Sequence, residues 1–315
     1  MTSLPLPNDL SINWSEPYGP IARGRSPTVS VNNLGQVVLI YATSIWSPRP
    51  ELHAKVGQLN NGVVTWYDES KFDIGSFPSV GINDSGQVVS THQENNGGQS
   101  LFYNTGTIND TTIDWNNSGS GTFYTTGIST TVDLDNDGLL VEVHRANVSE
   151  SMWSLVGKLS GSGIDWKQDS TQFGVGQKPS VAINNHRAIA QFHESKQFYP
   201  GRIFDNPGIV DDGLQVRWFD SKETDGFLSA EPKVDINDSG VVVQVHASAN
   251  GGMYYRVGTL SSDGRSIDEG ASFKFLQAFE YDVTMTNDGQ IIMVYAQDDT
   301  TKAENLFCVV GTLAT

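Results

Sequence analysis

The 315 residues of this chain, 37% hydrophobic and 10% aromatic, are enough to bury a sizeable core. Thirty-six acidic against 19 basic residues leave a formal charge of -17, a field that repels phosphate backbones and anionic membrane surfaces and excludes nucleic acid and membrane insertion as expected roles. No stretch is apolar for long enough to span a bilayer, and the single cysteine, Cys308, excludes an intramolecular disulfide.

The N-terminal Met1-Thr2-Ser3-Leu4-Pro5 has neither the charged nor the apolar region of a secretory signal, so cytoplasmic synthesis is expected, with any release by a non-classical route. Ile12-Asn13-Trp14 follows, and its likeness to Ile113-Asp114-Trp115 and Ile164-Asp165-Trp166 is the first sign of repetition. From there a unit of about fifty residues recurs six times. A valine opens each Val-x-apolar pair at Val29, Val80, Val132, Val181, Val234 and Val283. A glycine in an apolar run follows at Gly57, Gly106, Gly157, Gly208, Gly258 and Gly311. Tryptophan closes the unit at Trp66, Trp115, Trp166 and Trp218, and Glu269 takes that slot in the fifth. The sixth unit stops at Thr315 before its closing segment, and the missing segment is Ile12-Asn13-Trp14.

An array that ends one segment short and begins with that segment is a closed ring. The expected fold is all-β, a six-bladed propeller of four-stranded antiparallel blades forming one domain over residues 1–315. Blades start near residues 26, 78, 130, 179, 232 and 281, and residues 10–16 complete the last.

The third unit shows the pattern of one blade. Thr131-Val132-Asp133-Leu134 alternates as a half-buried strand does, and Asp135-Asn136-Asp137-Gly138 is a tight turn. Leu140–His144, Met152–Leu159 and Ile164–Trp166 are the remaining strands. The turn has counterparts at Asn83-Asp84-Ser85-Gly86, Asn237-Asp238-Ser239-Gly240 and Asn287-Asp288-Gly289. The fourth unit departs from it, with Asn185-His186-Arg187 at the turn and Pro207 before its marker glycine, so irregular pairing is expected there.

Six residues after each turn stand Tyr41, His92, His144, His193, His246 and Tyr295. Two residues earlier are Leu39, Ser90, Glu142, Gln191, Gln244 and Met293, on the same strand face. The histidine row either bridges structure by hydrogen bonds or lines repeated ligand sites, and tyrosine in two copies argues against metal. The closing tryptophans either cover a blade edge or stack on sugar rings. The aromatic row His53, Phe102, Trp153, Phe204, Tyr254 and Phe307 reads as core, and Cys308 as a buried thiol. Asp135-Asn136-Asp137-Gly138 lacks the twelfth-position glutamate of an EF-hand loop. No catalytic triad order, zinc spacing or phosphate-cradling loop occurs, so no enzyme activity, cofactor or metal is expected.

The units Val-x-Ile-Asn-(Asn/Asp)-x-Gly-x-Val-Val-x-Val-His and Val-Gly-x-Leu-x-x-x-x-Ile-Asp-Trp resemble the tandem propeller repeats of bacterial and fungal lectin-like proteins, over about Leu10 to Thr315. The resemblance implies a multivalent carbohydrate-binding protein with similar sites at blade junctions and glycans or glycoproteins as partners. Candidate contacts are His92, His144, His193, His246, Trp66, Trp115, Trp166 and Trp218, with fewer than six sites competent given the degenerate fourth unit and Glu269. Two other readings stay open: a non-enzymatic protein-interaction or toxin-associated propeller, and a propeller glycoside hydrolase with carboxylates at the central funnel.

Overall fold

The computed structural model describes residues 10–43, 49–94, 99–116, 121–124, 126–167, 170–195, 201–224, 229–248, 252–298 and 304–314. They form six antiparallel sheets in a ring, with no helix among the described residues: the six-bladed propeller that the repeat implies. The third blade runs Gly127–Leu134, Leu139–Ala146, Ser151–Ser160 and Gly163–Trp166 from the axis outward, each strand paired with the next. The second strand of each blade is sandwiched between neighbouring blades. Leu139 to His144 and Val241 to His246 are therefore buried throughout, which is why these strands read as continuous apolar runs rather than alternations.

The last blade is closed as expected. Ser11–Trp14 pairs antiparallel with Glu304–Ala314, placing Trp14 opposite Gly311. The same pairing puts Trp66 on Gly57, Trp115 on Gly106, Trp166 on Gly157 and Trp218 on Gly208. This explains why glycine and tryptophan keep one beat. A Cβ on Gly57 or Gly311 would lie 2.8 Å from the Trp66 or Trp14 ring, so the indole needs a bare Cα beneath it. The fourth blade is irregular at the expected places. Arg187 takes φ 63° where other turns place glycine, and its third strand is split into Arg202–Asp205 and Gly208–Val210 around Asn206-Pro207.

Each innermost strand is a sheet edge, and its unpaired backbone N–H groups must find acceptors. In five of the blades, side chains of the preceding blade supply them. Val29 and Val31 donate to Asp282 and Thr284 at 3.0 and 3.1 Å, Val132 to Ser79 at 3.0 Å, and Ile183 to Asp133 at 2.8 Å. Val234 donates to Ser180 at 3.1 Å and Met285 to Asp235 at 2.5 Å.

The turns close a second ring at the base. The N–H of Asn33 donates to Oδ1 of Asp84, and that of Asp84 to Asn136, Asn136 to Asn185, Asn185 to Asp238, Asp238 to Asn287, and Asn287 back to Asn33, all at 2.8–2.9 Å. Asparagine or aspartate thus has a different task at each of the first two turn positions: at the first, as in Asn32, Asn83 and Asp135, its Oδ1 caps the turn's own N–H groups, and at the second it links to the next blade.

Candidate functional site

The histidine row lies inside the blades. His92, His144, His193 and His246 are each at most 4% exposed. His144 Nδ1 lies 2.9 Å from Glu142, His193 Nδ1 3.2 Å from Gln191 and His246 Nδ1 3.0 Å from Gln244, the same-face pairs that period-two spacing predicts. Cross-strand aromatics cover three of the rings: Phe102 on His92, Phe204 on His193 and Tyr254 on His246, with centroids 5.6–5.8 Å apart. Burial drives His92 and His193 down to about 4, Asp73 opposing this weakly at His92, so both are neutral near pH 7.

The tryptophans sit at the outer edges, half-buried. Trp115 stacks on Phe72 and Trp218 on Phe173 at 4.2 Å, and Trp166 on Phe123 at 5.2 Å, each phenylalanine coming from the preceding blade. Trp66 covers Gly57 in the same manner. A ring that lies over its own glycine and against a neighbouring phenylalanine welds two blades together. The eight candidate residues therefore occupy blade interiors and junctions and do not converge on one concavity.

A concavity does form on the axis, at the end where the innermost strands begin. Ser26, Phe77, Ser129, Lys178, Glu231 and Glu280 occupy equivalent positions there, each left-handed with φ between 47° and 55°. Strand register slips at each of these positions. Proline follows in four blades, at Pro27, Pro78, Pro179 and Pro232, where an edge position needs no ladder N–H. With Tyr281, Thr130 and Lys233 these residues enclose a cup of about 300 Å³. Beneath it the channel narrows to cavities of about 30 and 60 Å³, the second of them lined by the residues of the base ring.

The cup's charges are arranged in pairs. Lys178 contacts Glu231 and lies 3.7 Å from Glu194. Lys233 lies 3.9 Å from Asp282, and Arg25 lies 3.6 Å from Glu280 and 2.9 Å from Glu304. Glu280 accepts the Ser26 N–H at 2.7 Å. Burial pushes the Glu280 carboxyl up, the Ser26 N–H and Arg25 opposing and Glu231 and Glu304 adding to the rise. Tyr281 donates its hydroxyl to the Glu231 carbonyl at 2.9 Å and is pushed well up by burial. Deeper in the channel, burial raises Asp133 and takes Asp235 to about 7. A carboxyl held toward its protonated form beside an ion-paired carboxylate can donate to a hydroxyl or release a proton to an ether oxygen. Among the described residues no three metal-ligating side chains converge.

Sequence reasoning passed over this cup, although a signal was present. Ser26-Pro27, Phe77-Pro78, Lys178-Pro179 and Glu231-Pro232 precede Val29, Val80, Val181 and Val234 at constant distance, with a different residue before each proline. A fixed backbone device presenting variable side chains marks a recognition surface better than a row of identical histidines does.

No family model matches this chain, and no curated protein matches it. Solved structures do. A protein of unknown function from Dyadobacter fermentans aligns over 96% of this chain and 99% of its own, with TM-score 0.67 and 11% identity. The NanB sialidase of Streptococcus pneumoniae aligns over 94% of this chain and 70% of its own, with TM-score 0.65 and 10% identity. A Trypanosoma rangeli sialidase aligns over 90% and 53%, with TM-score 0.57 and 12% identity. At such identities the likeness establishes the fold. It also corrects one expectation: the absence of a recognisable catalytic motif led to the reading that this chain turns over no substrate, yet the same six-blade scaffold carries enzymes. Regular blades are no ground for excluding catalysis.

Proposed function

We propose that this protein recognises a carbohydrate in the cup at the mouth of its central channel. The observation that carries the reading is the set of six equivalent, left-handed positions that present Ser26, Phe77, Ser129, Lys178, Glu231 and Glu280 on a constant backbone frame. Aromatic and proline surface suits the apolar face of a sugar ring, and the carboxylates and hydroxyls suit its hydroxyl groups. About 300 Å³ is at the small end of ligand sites and fits a terminal sugar better than a polymer chain. The sialidase neighbours support a carbohydrate ligand for this scaffold.

The test is a glycan screen followed by isothermal titration of the strongest hit. Binding near one site per chain, weakened on the order of tenfold by Phe77→Ala, is expected. Chromatography of the same mixtures after incubation reads hydrolysis directly. Several equivalent sites per chain, insensitive to Phe77→Ala, would replace the cup with the blade-junction sites that the lectin-like resemblance implies.

A further inference from the structure

We infer that the cup selects saccharides without an acidic group and turns away sugar acids, sialic acid included. The inference rests on the carbohydrate reading above and sharpens it, because the neighbours' printed activity points toward an acidic sugar and the cup's own chemistry points away from it.

The first reason is that the cations around the cup are already engaged. Lys178 serves Glu231 and Glu194, Lys233 faces Asp282, and Arg25 is shared between Glu280 and Glu304. A ligand carboxylate would have to displace one of these partners, and the displaced carboxylate would stay in place as a like charge. The second reason is the local balance. Those contacts join three cations to five carboxylates, an excess of two negative charges when the cup's own lining (Lys178, Lys233, Glu231 and Glu280) is taken together with the charged groups directly behind it. The third is the field of the whole chain, -17, which adds to the local repulsion rather than offsetting it. The geometry offers an alternative use for the same groups. The carboxylates are strong acceptors for sugar hydroxyls, and the ring face can lie on Phe77, which is 48% exposed at the rim.

The experiment uses matched glycans: galactose-, fucose- and N-acetylglucosamine-terminated oligosaccharides, each beside a sialylated or uronic-acid-capped counterpart. Affinities are read by titration at low and at moderate salt. Neutral members should bind on the order of tenfold or more tightly than their acidic partners, with the gap narrowing as salt rises. Glu231→Gln removes one negative charge and frees Lys178 from one of its two partners, so the acidic-to-neutral affinity ratio should rise by about tenfold. Glu231 is substantially exposed, so folding should survive, and an unchanged melting temperature verifies this. A wild-type preference for the acidic member of each pair, or a ratio unmoved by Glu231→Gln, overturns the inference and leaves the carbohydrate reading standing. Binding of no glycan of either kind removes the carbohydrate reading and this inference with it.

Discussion

Ile12 and Ile113 occupy the same position in two blades, but only Ile12 reaches its blade from the far end of the chain. Both side chains are buried, at 6% and 8% exposure. Truncation of either to alanine removes a similar apolar contact and should cost about 3 kcal/mol. At ~2.1 cal/mol/K per residue, the 315 residues have an unfolding entropy near 0.7 kcal/mol/K, so each substitution should lower Tm by about 5 °C. Deleting residues 1–16 is a larger perturbation. It removes the burial of Leu10 and Ile12 and the cover that Trp14 gives Gly311, worth roughly 6 kcal/mol together. It also exposes the edge of Glu304–Ala314 as an unpaired strand. The expected drop is then about 10 °C or outright failure to fold, because the loss approaches the whole stability of a domain. Differential scanning calorimetry measures all three variants. If Ile113→Ala costs several degrees while Ile12→Ala and the deletion are silent, the clasp contributes nothing and the ring closes by other means.

Stability should also depend on pH in a particular sense. Burial holds Asp235 and Glu269 at about 7 and Asp205 at about 6, above their unfolded values, so their contribution is full below about pH 4 and is lost as pH rises through 6 to 7. His92 and His193, held at about 4, act oppositely, their contribution being present above about 6.5 and lost as pH falls toward 4. Three carboxyls outweigh two imidazoles, so Tm at pH 5.5 should exceed Tm at pH 8, and a thermal scan giving the reverse order would contradict the burial argument. At the junction where Glu269 replaces tryptophan, Glu269 pairs with Arg256 at 2.8 Å, both largely buried. Glu269→Ala should therefore cost about 3 kcal/mol in a urea titration by removing the carboxylate that offsets the largely buried Arg256 charge. His144→Ala should cost about 1–3 kcal/mol by leaving Oε2 of the fully buried Glu142 without its partner while Oε1 keeps the Thr130 hydroxyl, with saccharide stoichiometry unchanged.

The architecture was legible because each blade obeys the same constraints, and constraints that recur are visible as period. The glycine–tryptophan beat records a close approach across one strand pair, and the split last unit records the seam. The short fifth strands, such as Gly121–Tyr124 and Thr171–Val175, were not legible: they lie beside the third strand with no residue fully buried, and the one feature they share is a lone phenylalanine, Phe123 or Phe173, against the next blade's tryptophan. The base ring hid behind the neighbouring turn residue, whose asparagine or aspartate the turn alone explains. The histidine row drew notice through chemical identity, yet burial gives it a packing part. The cup was obscure for the opposite reason. Its six positions share a backbone conformation and no common side chain, and the proline that follows four of them is absent after Ser129 and Glu280, so the sequence carried only part of the pattern.

The base ring has a further consequence. Every turn offers the same donor, a backbone N–H, and the same acceptor, an Oδ1 atom, and all six bonds run in one rotational sense. Each blade is therefore a link whose leading side fits the trailing side of any other, itself included. Duplicating a blade's coding segment would deliver a unit with both connections already matched, and the tolerance of the ring for one more member would be decided by the wedge angle between sheets.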